Sequence, residues 1–156
     1  MNFAQAFARL VDPEHEGGFE DDPNDPGGAT KYGLSQRAYP GEDIKNMSLG
    51  RAAFLYQRDY WGPAGCDALP DLLKYEMFDM AVNVGRVEAI RLLQKAVGAT
   101  IDGALGPNTL QLAQSGDTSR WLRRLQALRI QYYTSLDSEW SDFGRGWMNR
   151  VATNMR

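Results

Sequence analysis

Residues 70–85 have the sequence PDLLKYEMFDMAVNVG, and this stretch decides the fold class. Its apolar positions are too many for the single apolar stripe of a surface helix; they are Leu72, Leu73, Met77, Phe78, Met80, Ala81 and Val82. A helix that is apolar on most of its sides is buried in a core. Gly85 supplies the signal that ends it. We therefore predict a buried helix from Pro70 to Val84.

Helical signals continue on both sides of this stretch. Ser48 is placed to cap the helix before it, and Asp117 or Thr118 to cap the longest helix after it. No segment of any length alternates with the period of two that a half-buried strand requires. We predict an all-α or α-dominated chain with at most a short β-hairpin in residues 19–35. The other helices are expected over about residues 3–11, with a restart at Pro13, and over 48–61, 87–97, 107–113, 118–136 and 140–155.

The length of 156 residues suits one domain, so we expect a single compact unit over residues 1–156. Hydrophobic residues make up 43% of the chain, which excludes a disordered protein. One cysteine, Cys66, excludes an internal disulfide framework, and one histidine, His15, argues against a zinc site. We expect no metal and no cofactor. No apolar run approaches the ~20 residues that span a bilayer, and no basic start marks a secretory signal. The expectation is a monomer without stable membrane insertion, made in a reducing compartment.

Charge is distributed unevenly along the chain. Residues 1–80 contain 14 acidic and 7 basic side chains, whereas residues 119–156 contain 3 acidic and 7 basic ones. The net acidity argues against nucleic acid as a partner. The basic C-terminal part either attracts an anionic polymer or is a solvated helix surface. A basic surface would lie around Arg120, Arg123, Arg124 and Arg129, but the arginines at 120, 123 and 124 do not share one helix face, so at least one of these three is expected to be a structural partner.

Chemistry is expected around the one long irregular segment, residues 19–35, which is dense in Asp, Pro and Gly. Glu16 precedes this segment at a predicted helix end, Asp25 follows nine residues later, and Thr30 five residues after that. Glycoside hydrolysis needs a protonated carboxylic acid at the leaving oxygen and a second polar group that handles water or the sugar cation. Neighbouring acids raise one another's pKa, which keeps such an acid protonated. On spacing alone, a solvated acidic loop is the favoured interpretation of this segment.

Two motifs favour the catalytic interpretation of this segment. They are HEGGF at residues 15–19 and DPNDPGGATKYG at residues 22–33. Together they resemble the glycoside hydrolase family 108 endolysins, which are phage and prophage N-acetylmuramidases. The resemblance continues through FDMAVNVG at residues 78–85 and GPNT at residues 106–109, and it covers nearly the whole chain.

The resemblance implies a lysozyme-like peptidoglycan hydrolase with bacterial peptidoglycan as its partner. Glu16 falls on the family's catalytic glutamate and would protonate the β-1,4 bond between N-acetylmuramic acid and N-acetylglucosamine. Residues 1–87 would form the catalytic region and residues 88–156 a helical peptidoglycan-binding region. An endolysin with no visible signal would be made in the host cytoplasm and reach the periplasm and cell wall after a holin opens the membrane, so that lysis releases phage progeny.

A looser similarity is to the Glu-x8-Asp-x5-Thr triad of other phage lysozymes. Here four residues rather than five separate Asp25 from Thr30, which leaves Thr30 open as the third member. The second catalytic group is then Asp25 or Asp22. The predicted substrate-binding residues each have an alternative role: Tyr60 and Trp61 stack on sugar rings or belong to the core, and Asn83 contacts sugar or is a buried hydrogen-bond partner.

Other interpretations are weaker or stay open. A calcium loop is excluded because Pro26 and Gly33 stand at ligand positions. Cys66 has no signal of activation, so a cysteine peptidase is disfavoured. Two alternatives to a muramidase remain: a non-catalytic peptidoglycan-binding module, and a lytic transglycosylase that works with one glutamate.

Overall fold

The computed structural model describes residues 1–12, 18–21 and 27–155. Within these ranges the chain is dominated by helices, which confirms the α-dominated, lysozyme-like fold class. The helices are α1 (Phe3–Leu10), α2 (Leu49–Tyr56), α3 (Asp71–Val84), α4 (Arg86–Val97), α5 (Pro107–Ser115), α6 (Thr118–Thr134) and α7 (Asp137–Asn154). A π-helical turn, Gln57–Trp61, follows α2, and a 3-10 turn, Cys66–Ala68, precedes α3. None of the described helices has the length and apolarity needed to cross a membrane. The predicted restart of the first helix at Pro13 lies outside the described residues.

Capping side chains set several helix starts where the sequence predicts them. The Ser48 hydroxyl accepts a hydrogen bond from the Arg51 backbone N–H at 3.1 Å, which begins α2. The Asp117 carboxylate accepts one from the Arg120 N–H at 3.0 Å, which begins α6. Each cap satisfies a backbone donor that the first turn of a helix leaves without an intrahelical partner. The predictions for Ser48 and Asp117 are confirmed.

The irregular segment contains a three-stranded antiparallel sheet of β1 (Phe19–Glu20), β2 (Thr30–Lys31) and β3 (Leu34–Ser35), in the order β1-β2-β3. It has one strand more than the single hairpin that the sequence analysis allows. The two residues between β2 and β3, Tyr32 and Gly33, both have positive φ, 52° and 75°. Positive φ at both central positions is the signature of the type I′ turn that joins tight hairpins.

The chain divides into two compact units, residues 2–60 and residues 61–156 together with Met1. In the 2–60 unit the buried apolar residues include Phe7, Leu34, Ile44, Leu55 and Tyr56. In the 61–156 unit α3 packs against α4 and α6, and its residues from Tyr75 to Ala81 are all buried. The predicted buried helix forms as α3, from Asp71 to Val84, but Leu72 in its first turn is exposed.

A network of buried charges joins three helices of the 61–156 unit. Asp79 on α3 is fully buried; one of its oxygens lies 2.6 Å from Arg129 Nη2 on α6, and the other lies 2.7 Å from Arg150 Nη2 on α7. Asn154 donates to the first oxygen at 3.0 Å, and Glu76 accepts from Arg129 Nη1 at 2.8 Å. Burial alone would raise the pKa of Asp79, but the attraction of Arg129 and Arg150 outweighs it, and the net pKa is lowered. The carboxylate is therefore held in its charged form.

Arg129 is fully buried, so it does not belong to the basic surface of α6. A structural partner is predicted among Arg120, Arg123 and Arg124, whereas the fully buried arginine of this helix is Arg129. Arg120, Arg123 and Arg124 are exposed. Of the four arginines, only these three can present charge to an anionic polymer.

We expect Arg129→Met to lower the free energy of unfolding by about 3–5 kcal/mol, because it leaves two buried carboxylates short of a cation. The control is Arg123→Met, which removes an exposed guanidinium from the same helix and should change stability by no more than about 0.5 kcal/mol. Urea unfolding followed by circular dichroism measures both values. Equal stability losses in the two variants would contradict the structural role of Arg129.

The lowered pKa of Asp79 predicts a loss of stability in acid. A group whose pKa is lower in the folded state stabilises the fold above its unfolded pKa, which is about 3.9 for aspartate. That contribution disappears as the pH falls through the lower, folded value. Carbon-detected NMR of the Asp79 carboxyl should show it still ionised at a pH where an ordinary aspartate is half protonated. A midpoint at or above the ordinary aspartate value would refute the prediction.

Candidate functional site

The residues predicted to carry the reaction, Glu16 and Asp25, lie outside the described residues, as does the alternative Asp22. In the chain, Glu16 stands between α1 and β1, and Asp22 and Asp25 stand in the connection from β1 to β2. The described site is therefore the framework on either side of these positions. The structure describes the four other predicted site residues, which are Thr30, Tyr60, Trp61 and Asn83.

Thr30 stands on β2 at the end of the connection that contains Asp25. It pairs with Glu20 on β1 and with Ser35 on β3. Directly opposed residues of antiparallel strands project to the same face of the sheet, so these three side chains make that face polar. The Thr30 hydroxyl donates to the Gly28 carbonyl at 3.2 Å. This contact ties the strand to the described end of the connection.

A polar groove of about 470 Å³ lies in the same unit, next to Tyr60. The Tyr39 hydroxyl donates to Asp59 Oδ2 at 3.0 Å, and the Tyr60 hydroxyl lies 3.4 Å from that of Tyr39. Arg58 pairs with the other Asp59 oxygen at 2.6 Å. The full lining is Ala38, Tyr39, Pro40, Gly41, Glu42, Arg58, Asp59 and Tyr60. Two phenols, two carboxylates and a guanidinium form a set of donors and acceptors that suits the hydroxyl and amide groups of a sugar.

Charge states in the groove follow from these contacts. The hydrogen bond from Arg58 lowers the pKa of Asp59, and the bond from Tyr39 adds to that effect. Burial, with Tyr60 and Asp59 close by, raises the pKa of Tyr39 well above its ordinary value. At neutral pH the groove therefore combines an ionised carboxylate with a protonated phenol that donates to it.

One wall of the groove is formed by residues 38–42, and this wall is attached to the sheet. The Ser35 carbonyl on β3 accepts from the Tyr39 N–H at 3.0 Å. Gln36 then donates to the carbonyls of Tyr39 and Glu42 at 3.2 and 2.9 Å, which fixes the shape of the wall. The structure thus links Thr30 to the groove through its strand partner Ser35. Thr30 and Tyr60 belong to one connected framework.

The other wall of the groove is formed by residues 58–60, and aromatic packing fixes the position of Tyr60 in it. Tyr60 lies on the π-helical turn after α2, and its ring packs against buried Tyr56 with a centroid distance of 5.4 Å. Tyr56 packs in turn on Phe7, at 5.6 Å, and its hydroxyl donates to the Tyr32 carbonyl at 2.8 Å. Turns of π-helix are frequent at functional sites. The Tyr60 ring is anchored, and its hydroxyl reaches the groove.

Trp61 and Asn83 have different surroundings. Trp61 is fully buried and meets Phe78 edge-on at 5.5 Å, so no face of its indole is open to a sugar ring. This is the core position given as its alternative in the sequence analysis. Asn83 is half-buried, and its amide donates to the Asp79 carbonyl one turn earlier at 2.7 Å. The amide of Asn83 is engaged within its own helix.

Tyr39 and Asp59 are groove residues that the sequence analysis does not identify. Asp59 could have been noticed as the one acid within the helical aromatic stretch of Tyr56, Tyr60 and Trp61. Tyr39 precedes Pro40 and Gly41 in an irregular segment and offers no such signal. Its contact with Asp59 spans 20 residues of chain, a separation that no local pattern encodes.

No three His, Cys, Asp or Glu side chains within the described ranges are grouped to hold a metal ion. Cys66 is buried, and burial raises the pKa of its thiol to about 12. A thiol with so high a pKa is almost wholly protonated at neutral pH, and the thiolate is the nucleophilic form. Cys66 is therefore a packing residue.

Comparison with known proteins adds the family. The family model described as glycosyl hydrolase 108 matches residues 13–85, and the model described as a predicted peptidoglycan domain matches residues 88–152. The structure of SagA from Brucella abortus is similar over 97% of this chain and 90% of its own, with 31% sequence identity and a TM-score of 0.85. The chain belongs to the glycosyl hydrolase 108 family. This glycosyl hydrolase 108 protein is a glycoside hydrolase that acts on peptidoglycan. No curated protein matches its sequence.

We expect Tyr39→Phe to raise KM for peptidoglycan fragments by roughly 3- to 10-fold, the cost of one hydrogen bond, with little change in kcat. The variant keeps the ring and removes the hydroxyl that orients Asp59. Leu49→Ala is the control, because Leu49 is an exposed residue of α2 that does not line the groove. A Tyr39→Phe variant with unchanged KM, or one that loses only kcat, would contradict substrate binding in the groove.

Proposed function

We propose that this glycosyl hydrolase 108 protein is a muramidase that cleaves the β-1,4 bond between N-acetylmuramic acid and N-acetylglucosamine. The observation that carries the proposal is the family match over residues 13–85, which includes Glu16 and its flanking glycines. Glu16 protonates the glycosidic oxygen as it leaves. General acid catalysis of this kind requires a carboxyl group that is protonated near neutral pH. The six acids between Glu14 and Asp25 supply the local negative charge that favours the protonated form.

Asp25, or alternatively Asp22, is proposed to stabilise the cationic transition state or to orient water. The described framework supports this role, because the connection that carries both residues begins and ends in paired strands. Its last residues are also fixed: Gly28 accepts from the Thr30 hydroxyl, and Gly27 accepts from the Arg37 N–H at 3.1 Å. In this proposal Thr30 braces the connection or holds the water.

The groove of Tyr39, Asp59 and Tyr60 is proposed to bind the glycan strand. Its phenols and ionised carboxylate offer directed hydrogen bonds to sugar hydroxyl and acetamido groups. A long strand bound at several sugars fixes the scissile bond relative to the catalytic acid, and such positioning contributes to rate. Residues 1–87 form the catalytic region in this scheme, and residues 88–156 bind the wall.

The biological role that fits this activity is that of a phage or prophage endolysin. The protein would act as a monomer, reach the wall after a holin opens the inner membrane, and lyse the host. A lytic transglycosylase and a wall-binding module without turnover are the competing functions. Digestion of purified peptidoglycan and mass spectrometry of the new ends separates the three. Reducing N-acetylmuramic acid supports the muramidase, a 1,6-anhydro end a transglycosylase, and no release a binding module.

We predict that Glu16→Gln lowers lytic activity by about 10²–10⁴-fold or more. The amide keeps the shape of the side chain but cannot act as a general acid. Its melting temperature should stay close to that of the wild type. Glu139→Gln is the control, since it makes the same substitution at an exposed position of α7, outside the acidic segment. Turbidity loss of a cell-wall suspension measures activity. Glu16 is excluded from the mechanism if Glu16→Gln keeps more than about a tenth of wild-type activity.

The proposed role of Asp25 is tested in the same assay. A group that acts mainly on the transition state contributes to kcat and little to binding. Asp25→Asn should therefore slow turnover while its pull-down on insoluble peptidoglycan stays near that of the wild type. If Asp25→Asn loses binding and keeps turnover, Asp25 is not the second catalytic group, and Asp22 is tested next.

A further inference from the structure

A second cavity, of about 350 Å³, lies between α4 and α6 in the 61–156 unit. All of its lining residues fall within residues 88–135, inside the range matched by the peptidoglycan domain model. The groove described above belongs to the 2–60 unit and shares no residue with this cavity. The chain thus contains two separate concave sites with different chemistry.

The α4 wall of the cavity is charged. Arg91 and Lys95 are four residues apart, so both face the same side of the helix, and both are exposed. Glu88 lies one turn before Arg91, and the two side chains approach only to 3.7 Å. A pair this open to water is weak, which leaves both charges available to a ligand. The wall presents two cations and, at one end, an anion.

The rest of the cavity is mainly apolar and aromatic, in contrast to the charged α4 wall. Tyr132 stands on α6 with its ring half-buried, and Leu92 and Leu128 supply apolar surface to the cavity. Arg124, also on α6, donates to the Lys95 backbone carbonyl at 3.4 Å, which places a third cation near the two of α4. Arg124 does not itself line the cavity.

We propose that this cavity binds the peptide stem of peptidoglycan rather than its glycan strand, an inference that rests on the proposed action on peptidoglycan. The stem is a short peptide with several carboxylates, and in many walls it carries a diamino acid with a free amine. Arg91 and Lys95 match the carboxylates, Glu88 matches the ammonium group, and the leucines match the methylene chain. A glycan strand is uncharged where it is substituted with peptide, so these charges would gain nothing from it.

Titration calorimetry on the full chain tests the proposal. The probes are the synthetic tripeptide L-alanyl-γ-D-glutamyl-meso-diaminopimelate and, as the glycan, tetra-N-acetylchitotetraose. The double variant Arg91→Gln/Lys95→Gln should weaken tripeptide binding roughly 10-fold or more and leave chitotetraose binding unchanged. The control Arg123→Gln/Arg145→Gln removes the same charge from exposed positions outside the cavity and should keep the wild-type Kd. Both double variants should keep the wild-type melting temperature, because all four side chains are exposed.

Several outcomes would overturn the proposal. One is a wild type that does not bind the tripeptide, and another is a cavity variant that weakens chitotetraose binding instead. Equal loss of tripeptide binding in both double variants would show attraction by overall charge rather than by the cavity. Release of reducing ends from peptidoglycan, measured on the same preparations, reports the proposed function separately. Hydrolysis without tripeptide binding would refute the peptide site and leave the muramidase proposal standing. Tripeptide binding without hydrolysis would refute the muramidase proposal.

Discussion

Asp79 is a carboxylate with no access to water, and the 61–156 unit is arranged around the need to compensate its charge. An ionised carboxylate in a protein interior costs several kcal/mol unless cations and donors replace its hydration. Arg129 from α6 and Arg150 and Asn154 from α7 provide this replacement. Helices α6 and α7 can therefore dock on α3 in only one register without leaving a buried charge short of partners. Apolar contacts alone would tolerate sliding of the helices, whereas this network does not.

The same constraint determines which residues of α6 line the cavity. Arg129 and Tyr133 are one turn apart and point into the unit, where Arg129 donates to the Tyr133 hydroxyl and the Tyr133 ring stacks on Trp147 at 4.8 Å. With 3.6 residues per turn, fixing these two residues sets the direction of every other side chain on the helix. Leu128 and Tyr132, each one position earlier, then lie about 100° around the helix, on the side that faces α4. The buried network and the proposed peptide site thus involve two different faces of the same helix, α6.

The sequence predicts much of this fold because its determinants are local. Ser48 and Asp117 satisfy the first turns of their helices, and the apolar run of α3 specifies burial on most sides. Helix geometry indicates that the arginines of α6 cannot all share one face, but it does not identify Arg129 as the buried one. The sheet and the groove depend instead on contacts between distant residues. Tyr39 meets Asp59 across 20 residues, and the β2–β3 turn places a tyrosine at φ 52°, where glycine or asparagine would be expected.

That tyrosine shows how the 2–60 unit compensates for a very small sheet. Strands of two residues form few ladder hydrogen bonds, and such a sheet is not stable without support from neighbouring packing. Here the Tyr56 hydroxyl donates to the Tyr32 carbonyl within the turn, and the Tyr56 ring packs between Phe7 and Tyr60. One buried phenol therefore supports the turn of the sheet and one wall of the groove together. Loops that carry chemistry need a rigid base, and Tyr56 is the side chain through which helix α2 provides it for the strands on either side of the proposed catalytic residues.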